Sequence, residues 1–322
     1  PKRTEQCSVP TQWIQGIGPK GGIVNSVVIA PWNCDTLVAA TFDGLLLSAD
    51  GGKRWEGFGE GFEGHHLRVL TADTTDIGTL YAGSYTGGTF RSTDRGKNWT
   101  PVGDSLTGSD IRAILIDPQN HRVLYVASFD GGVAQSIDQG ESWTDISAGL
   151  PLRKISAGAL IPGKQKALLA GVWTKGLFKY NFGKQRWRSC AKGLATEAIT
   201  CLMVNLQAPQ TVYVGTYGGG VYVSKDGGEN CSQSNKGLNN LYIKSLAVDN
   251  SSPSTVYAAT DGGGVFKSLD GAESWSADNE GLKHKYNYGV TVSADSSGTV
   301  FVGTCWGGVY WKKKQPMFCG DN

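Results

Sequence analysis

The sequence predicts an all-β protein, a β-propeller of seven four-stranded antiparallel blades, and three observations support this prediction. The pattern Ser-x-Asp-x-Gly-x-x-Trp returns every 44 residues along most of the 322-residue chain. Short strand signals separated by turns rich in Gly and Pro fill each period. A four-stranded unit of this size cannot bury both of its faces alone, so the units are expected to stack radially into a ring.

The repeated pattern is expected to form a turn, which we call the Ser–Asp turn. It starts at Ser48, Ser92, Ser136, Ser224 and Ser268, and a decayed copy spans Tyr180 to Trp187. The Asp carboxylate can accept backbone N–H groups of its own turn, Gly permits a positive φ, and the Trp ring anchors the outer strand. We therefore expect a structural role for Asp50, Trp55, Asp94, Trp99, Asp138, Trp143, Asp226, Asp270 and Trp275, with Cys231 in one Trp position.

The sixth repeat shows how four strands fit into one period. Its strand signals cover residues 243–249, 255–260 and 265–268, and an outer strand starts near Trp275. The turns between them are marked by residues 250–253, by 261–264 and by the Ser–Asp turn. Strands of five or six residues with turns of this kind predict an antiparallel meander.

The last repeat indicates how the ring closes. It runs from about Gly289 to Trp311, with three strand signals and no Ser–Asp turn after them. Trp13 precedes a Gly-x-Gly pattern, as Trp55 of the first repeat does. We therefore expect residues 1–20 to complete the last blade, and residues 1–322 to form a single propeller.

Composition and cysteine spacing narrow the function classes. A formal net charge of +2 gives no basic field, so nucleic acid is not expected as a partner, and no apolar run is long enough for a transmembrane segment. The seven cysteines show no C-x-x-C spacing, so no metal or cofactor is predicted. Cys7 could form a disulfide with Cys319 or with Cys34. The start at Pro1, without Met, indicates a processed or trimmed chain whose signal peptide has been removed, and we expect a periplasmic or secreted location.

The Ser–Asp turn at this period resembles the Asp box, or BNR repeat, and the resemblance covers almost the whole chain. Proteins with this repeat include sialidases, xyloglucanase-type glycoside hydrolases, sortilin-type receptors, lectins and photosystem II assembly factors. The resemblance implies that the Asp boxes lie between the third and fourth strands, on the rim of one face. It also implies that ligands bind the opposite face. The motif is specific for the fold and poor for function.

Two sets of residues are candidates for that opposite face. The residue just after the second strand is mostly aromatic: Phe42, Tyr85, Phe129, Trp173, Tyr217, Asp261 and Cys305. The next position adds Asp43, Asp130 and Trp306. Aromatic rings among carboxylates suit a sugar or a protein partner. The alternative is that these side chains pack between blades.

The second set starts the innermost strands and is expected to face the central channel. It comprises Val24, Arg68, Arg112, Ser156, Thr200, Lys244 and Tyr288. Arg68, Arg112 and Lys244 would then converge on a small anion, as Arg clusters recognise carboxylates. The alternative is that these cations are paired with Asp110 and Glu197 at a wet channel mouth.

The sequence predicts no catalytic residues. The Arg-Ile-Pro motif of sialidases is absent, and a two-carboxylate hydrolase needs acids roughly 5–10 Å apart, whereas Asp43, Asp130 and Asp261 are dispersed around the ring. The blade pattern Phe-x-Asp-x-x-x-Gly-Trp of the assembly factors is not followed either. The interpretation is a non-catalytic protein-binding scaffold, or a subunit or assembly factor of a larger complex. The alternative is a carbohydrate-binding lectin or a sialidase-like, exo-acting glycoside hydrolase.

Overall fold

The computed structural model describes residues 12–18, 22–62, 64–103, 106, 109–196, 198–293 and 298–313. These residues form seven four-stranded antiparallel sheets, and no helix is found among them. The sheets are arranged in a ring as the blades of a β-propeller, which confirms the predicted fold class. Within the same ranges, no helix is long and apolar enough to cross a membrane.

The blades are numbered 1 to 7 by the chain order of their first strands, which lie next to one another around the channel. The first strands are Val24–Ile29, Leu67–Ala72, Ile111–Ile116, Ile155–Ile161, Ile199–Val204, Ile243–Val248 and Asn287–Val292. The second strands are Leu37–Thr41, Leu80–Ser84, Leu124–Ser128, Ala167–Val172, Val212–Thr216, Val256–Thr260 and Val300–Thr304. The third strands are Gly44–Ser48, Thr89–Ser92, Gly132–Ser136, Gly176–Asn181, Val221–Ser224, Gly264–Ser268 and Val309–Lys312. The outer strands are Glu56–Phe58, Thr100–Val102, Thr144–Asp145, Arg186–Ser189, Ser232–Gln233, Ser276–Ala277 and, for blade 7, Ile14–Gln15.

The core lies between the blades, because both faces of each second strand are covered by neighbouring sheets. Every residue of the second strands is buried. The same position in four of them holds a fully buried tyrosine: Tyr81, Tyr125, Tyr213 and Tyr257. Burial of one large side chain stabilises a fold by about 1.5–3 kcal/mol, so these contacts between blades hold the ring together.

The Ser–Asp turns connect the third and outer strands, and blade 2 shows their geometry. The Ser92 hydroxyl donates to Asp94 Oδ1 (2.8 Å) and accepts the backbone N–H of Gly96 (2.9 Å). Asp94 Oδ1 also accepts the backbone N–H of Asn98, and this bond, together with those from the Asn98 and Ser92 side chains, lowers the pKa of Asp94 to about 2. The Trp99 indole N–H donates to the Gly96 carbonyl at 2.8 Å. The same bond from Ser to Asp recurs at Asp50, Asp138, Asp226 and Asp270.

The strand Ile14–Gln15 closes the ring as the outer strand of blade 7, as predicted. Ile14 lies opposite Trp311, and Gln15 lies opposite Tyr310 on the third strand of blade 7. Trp13 is 2% exposed, and its indole N–H donates to the Asp278 carbonyl of blade 6 at 2.6 Å.

The proposed terminal disulfide cannot be placed in this ring, because Cys7 and Cys319 lie outside the described residues. None of the five described cysteines is paired with another of the five.

Candidate functional site

Each blade carries a β-bulge just after the start of its first strand. In blade 3, Ile111 pairs with Ser128 and Ala113 pairs with Ala127, so Arg112 is the extra residue. The seven bulged residues are Asn25, Arg68, Arg112, Ser156, Thr200, Lys244 and Tyr288. A bulge leaves its extra residue unpaired and redirects the side chain.

The redirected side chains meet at the mouth of the central channel. All seven line one cavity of about 440 Å³, together with Trp173, Ile199 and Tyr217. The prediction that Val24 faces the channel is wrong. Val24 is 1% exposed and pairs with Thr41, and the next residue, Asn25, occupies the bulge. The hydrophobic Val24 fills the buried position that Leu67 holds in blade 2.

Two of the three predicted anion-binding cations share one carboxylate across a blade boundary. Arg68 Nε lies 2.7 Å from Asp110 Oδ1, and Arg112 Nη2 lies 2.6 Å from Asp110 Oδ2. Burial first, and the nearby Arg112 guanidinium second, lower the pKa of Arg68. One carboxylate between two guanidinium groups leaves this side of the cavity with a surplus of positive charge.

The third cation, Lys244, lines the same cavity from blade 6. Its ammonium lies 3.1 Å from Asp261 Oδ2, and 5.3 and 5.1 Å from the ring centres of Tyr217 and Tyr288. Asp110 therefore pairs with two of the cations, while Lys244 pairs with Asp261. Glu197, the other acid that the sequence suggested as a partner, lies outside the described residues.

The aromatic residues that follow the second strands lie on the same face. Phe42 stacks on His66, with ring centres 3.5 Å apart and planes at 11°. The Arg68 guanidinium carbon lies over the Tyr85 ring, 4.5 Å from its centre. Phe42 and Tyr85 are 43% and 46% exposed, so they lie on the surface rather than between the blades.

The next three aromatic residues continue this arrangement around the ring. Arg112 lies over Phe129 at 4.7 Å, and Phe129 contacts Trp173 edge to face at 5.6 Å. Tyr217 meets Tyr242 in the same manner at 4.8 Å. Trp173 and Tyr217 are 39% and 49% exposed, and both line the cavity.

The remaining predicted residues of the face differ in their contacts. Asp43 is exposed, and Asp130 accepts the backbone N–H of Asp110 at 3.1 Å. Asp261 pairs with Lys244, as described above. Trp306, after the half-buried Cys305, is 66% exposed. These acids therefore do not converge on one point, and the described residues contain no group of three or more His, Cys, Asp or Glu side chains able to hold a metal.

A third ring consists of the residues that immediately precede each first strand, and the sequence analysis did not recognise them as a ring. Their carbonyls accept the N–H of the residue after the second strand, as Asp110 does from Phe129 at 2.8 Å. The seven residues are Ile23, His66, Asp110, Lys154, Ala198, Tyr242 and Tyr286. They include the exposed Tyr242 and Tyr286, which the 44-residue register could have identified.

No protein-family model and no curated protein matches the chain. Its fold is similar to that of YCF48 from Cyanidioschyzon merolae, with a TM-score of 0.69, 17% identity, and coverage of 94% of this chain and 98% of that chain. It is also similar to YCF48 bound to D1 peptide, with a TM-score of 0.70, 16% identity, and coverage of 96% and 100%.

Two longer proteins contain a similar propeller. The Niastella koreensis GH74 enzyme has a TM-score of 0.73 and 16% identity, over 93% of this chain and 53% of that chain. The extracellular domain of BT3049 from B. thetaiotaomicron has a TM-score of 0.76 and 17% identity, over 95% of this chain and 42% of that chain. At these identities the similarity establishes the fold alone.

Proposed function

We propose that the protein is a non-catalytic, extracytoplasmic binding scaffold that captures an acidic polypeptide segment of a partner at the channel mouth. The observation that carries this proposal is the ring of bulges, which directs Arg68, Arg112 and Lys244 into one cavity. The described lining of that cavity consists of cationic, hydroxyl, amide and apolar side chains, with no carboxylate.

The charge balance at the cavity favours an anionic ligand. Arg68 and Arg112 share Asp110, and burial together with mutual repulsion lowers the pKa of Arg68. A ligand carboxylate would offset that repulsion. Guanidinium groups also match carboxylates in geometry, because two parallel N–H groups can meet two oxygens.

The aromatic side chains around the cavity favour a polypeptide over a free small anion. Tyr, Trp and Arg dominate the binding energy of protein interfaces. Trp173 and Tyr217 lie here on short turns between paired strands, and Arg68 and Arg112 lie at the bulges of first strands. Such turns lose little conformational entropy on binding, because the sheets already fix them. The structure of YCF48 bound to D1 peptide supports peptide binding by this kind of propeller, and the extracellular BT3049 domain supports an extracytoplasmic location.

A glycoside hydrolase would need two carboxyl groups facing one bond. Asp261 is paired with Lys244, and Asp130 accepts a backbone N–H, so we expect no turnover of chromogenic glycosides. Turnover that Asp130→Asn or Asp261→Asn abolishes would contradict a non-catalytic scaffold.

Binding of charged polypeptides tests the proposal. The probes are a random copolymer of glutamate and tyrosine and the corresponding copolymer of lysine and tyrosine, each labelled and followed by fluorescence anisotropy. We expect binding of the acidic copolymer alone, weakening as salt is added. The double variant Arg68→Gln, Arg112→Gln should lose about tenfold or more in affinity. Equal binding of both copolymers would contradict the proposal.

The matched control is Lys97→Gln, which removes one exposed cation from the Ser–Asp turn of blade 2. That turn lies at the opposite end of the strands from the cavity, so the affinity should stay unchanged. Melting curves of all variants show whether a loss of affinity reflects a loss of fold. Lys97→Gln removes one positive charge where the double variant removes two. A clear loss of affinity in Lys97→Gln would show that the acidic probe senses total charge rather than the channel mouth.

A further inference from the structure

The backbone of Trp306 is unusual for a bulky residue. Trp306 is the second residue after the second strand of blade 7, and its φ is 67°. The same position in blades 5 and 6 is held by Gly218 and Gly262, with φ of 99° and 91°. Positive φ is open to glycine but crowds the Cβ of other residues. Blade 7 therefore holds a tryptophan in a conformation that blades 5 and 6 form with glycine.

Side-chain packing does not offset the backbone strain at Trp306. The side chain is 66% exposed, and within the described chain its ring makes no ring or cation contact. Other aromatic residues of the face are covered in part, as Phe42 is by His66 and Tyr85 is by Arg68. The exposed Thr174 of blade 4 has a similar φ of 57°, so strain alone does not distinguish Trp306. What distinguishes Trp306 is that its strained turn presents an exposed aromatic ring, and this motivates a functional hypothesis.

The turn that carries Trp306 is bonded to two segments, the one that leads into blade 1 and the one that leads into blade 7. The backbone N–H of Trp306 donates to the Gly22 carbonyl at 2.9 Å, and that of Cys305 donates to the Tyr286 carbonyl at 2.9 Å. A Cβ on Gly307 would lie 2.5 Å from the His284 ring, so the turn is in close contact with the segment that leads into blade 7. The indole is thus presented to solvent from a fixed backbone.

The segment that leads into blade 7 adds positive charge and a second exposed ring. Lys283 and Lys285 are exposed, and Tyr286 is 60% exposed. We call Lys283, Lys285, Tyr286 and Trp306 the Trp306 patch. An exposed indole next to a segment that carries two exposed lysines and an exposed tyrosine is complementary to a chain that alternates apolar and acidic side chains.

We propose that the Trp306 patch is a second contact site for the acidic polypeptide, with Trp306 as its apolar anchor. The choice of a polypeptide rests on the proposed function, and the strain and exposure of Trp306 are independent of it. The indole packs against an apolar side chain of the partner, while the two lysines meet acidic side chains on either side. The fixed turn means that little entropy is lost when the anchor is engaged.

The test compares Trp306→Gly with Thr174→Gly. Thr174 occupies the same turn position in blade 4, is exposed, and has a φ of 57°, so its replacement relieves similar strain without removing a ring. We expect neither variant to melt below the wild type. Trp306→Gly should weaken binding of the copolymer of glutamate and tyrosine about tenfold or more, while Thr174→Gly leaves it unchanged. Trp306→Phe should recover part of the affinity.

The other outcomes separate this inference from the proposed function. A lowered melting temperature for Trp306→Gly would show that Trp306 is a packing residue, which overturns the inference. Unchanged affinity in Trp306→Gly, with affinity lost in the double Arg variant, overturns the inference and leaves the channel-mouth site in place. If the wild type binds a neutral maltooligosaccharide and Trp306→Gly abolishes this binding, the patch binds sugar, which overturns its assignment to a polypeptide. Failure of the wild type to bind the acidic copolymer overturns both proposals.

Discussion

Arg68 Nε lies 2.7 Å from Oδ1 of Asp110, across the boundary between blades 2 and 3. Asp110 is 7% exposed, and its other oxygen meets Arg112. The same carboxylate therefore joins two blades and restrains two guanidinium groups at the channel mouth. The Asp110 carboxylate neutralises the arginines in the free protein and so stabilises it. The same carboxylate competes with a ligand anion for the two arginines.

The substitution Asp110→Asn should move stability and affinity in opposite directions. It leaves two close guanidinium groups without their shared carboxylate, so the free energy of unfolding should fall by about 2 kcal/mol. The affinity for the copolymer of glutamate and tyrosine should rise, because no internal anion competes for the arginines. Chemical unfolding measures the first effect, and fluorescence anisotropy measures the second.

The control for this substitution is Asp145→Asn. The ion pair between Asp145 and Arg153 has side chains that are 51% and 57% exposed, and such pairs contribute about 0–1 kcal/mol. Both stability and affinity should stay near the wild-type values. Weaker binding in Asp110→Asn would show that the carboxylate positions the arginines for the ligand rather than competing with it.

The Ser–Asp turns should make stability depend on pH in the acid range. Hydrogen bonds from the Ser274 hydroxyl and backbone lower the pKa of Asp270 to about 2, from an ordinary value of 3.8. Because the folded pKa lies below the unfolded one, this stabilisation is present above about pH 4 and is lost as the pH falls toward 2. In Asp270→Asn, denaturant midpoints measured between these pH values should fall less steeply than in the wild type.

The same turn offers a matched control, Glu273→Gln, which removes an exposed carboxylate three residues away. Its stability should follow the wild-type curve in this pH range. An acid dependence that Asp270→Asn leaves unchanged would place the titrating groups outside this turn.

The ring could be predicted from the sequence, because its determinants are local and repeated. Gly and Pro mark the turns, and Trp13 indicates the closure of blade 7 before any pairing is known. The bulges could not be predicted, because a bulge is defined by pairing between two strands. That is why Val24 was assigned to the channel instead of Asn25.

The left-handed backbone of Trp306 could not be predicted from the sequence either. The sequence shows a tryptophan where blades 5 and 6 have glycine, but the hydrogen bond from Trp306 to Gly22 that fixes the turn comes from a distant part of the chain. Likewise, the double role of Asp110 depends on the approach of blade 2 to blade 3. Local patterns thus predicted the scaffold and most residues of the cavity, and contacts between blades determine how these residues are directed and paired.

Truncation of Trp13 should weaken ring closure strongly. Trp13 is 2% exposed and donates to the Asp278 carbonyl of blade 6, so Trp13→Ala removes a buried ring and a hydrogen bond. The free energy of unfolding should fall by about 3–5 kcal/mol. The same truncation at the exposed Trp306 should not lower it. If chemical unfolding shows Trp13→Ala to be as stable as the wild type, closure does not depend on Trp13.

Trp173 should contribute to binding far more than to stability. Its ring lines the channel-mouth cavity, is 39% exposed, and has an edge-to-face contact with Phe129 at 5.6 Å. Loss of that contact costs about 1 kcal/mol, so Trp173→Ala should melt close to the wild type while its affinity for the acidic copolymer falls. Trp173→Phe keeps an aromatic ring beside Phe129 and should retain most of the affinity. If Trp173→Ala instead lowers the melting temperature and leaves binding intact, Trp173 is a packing residue and the aromatic side of the cavity does not contact the ligand.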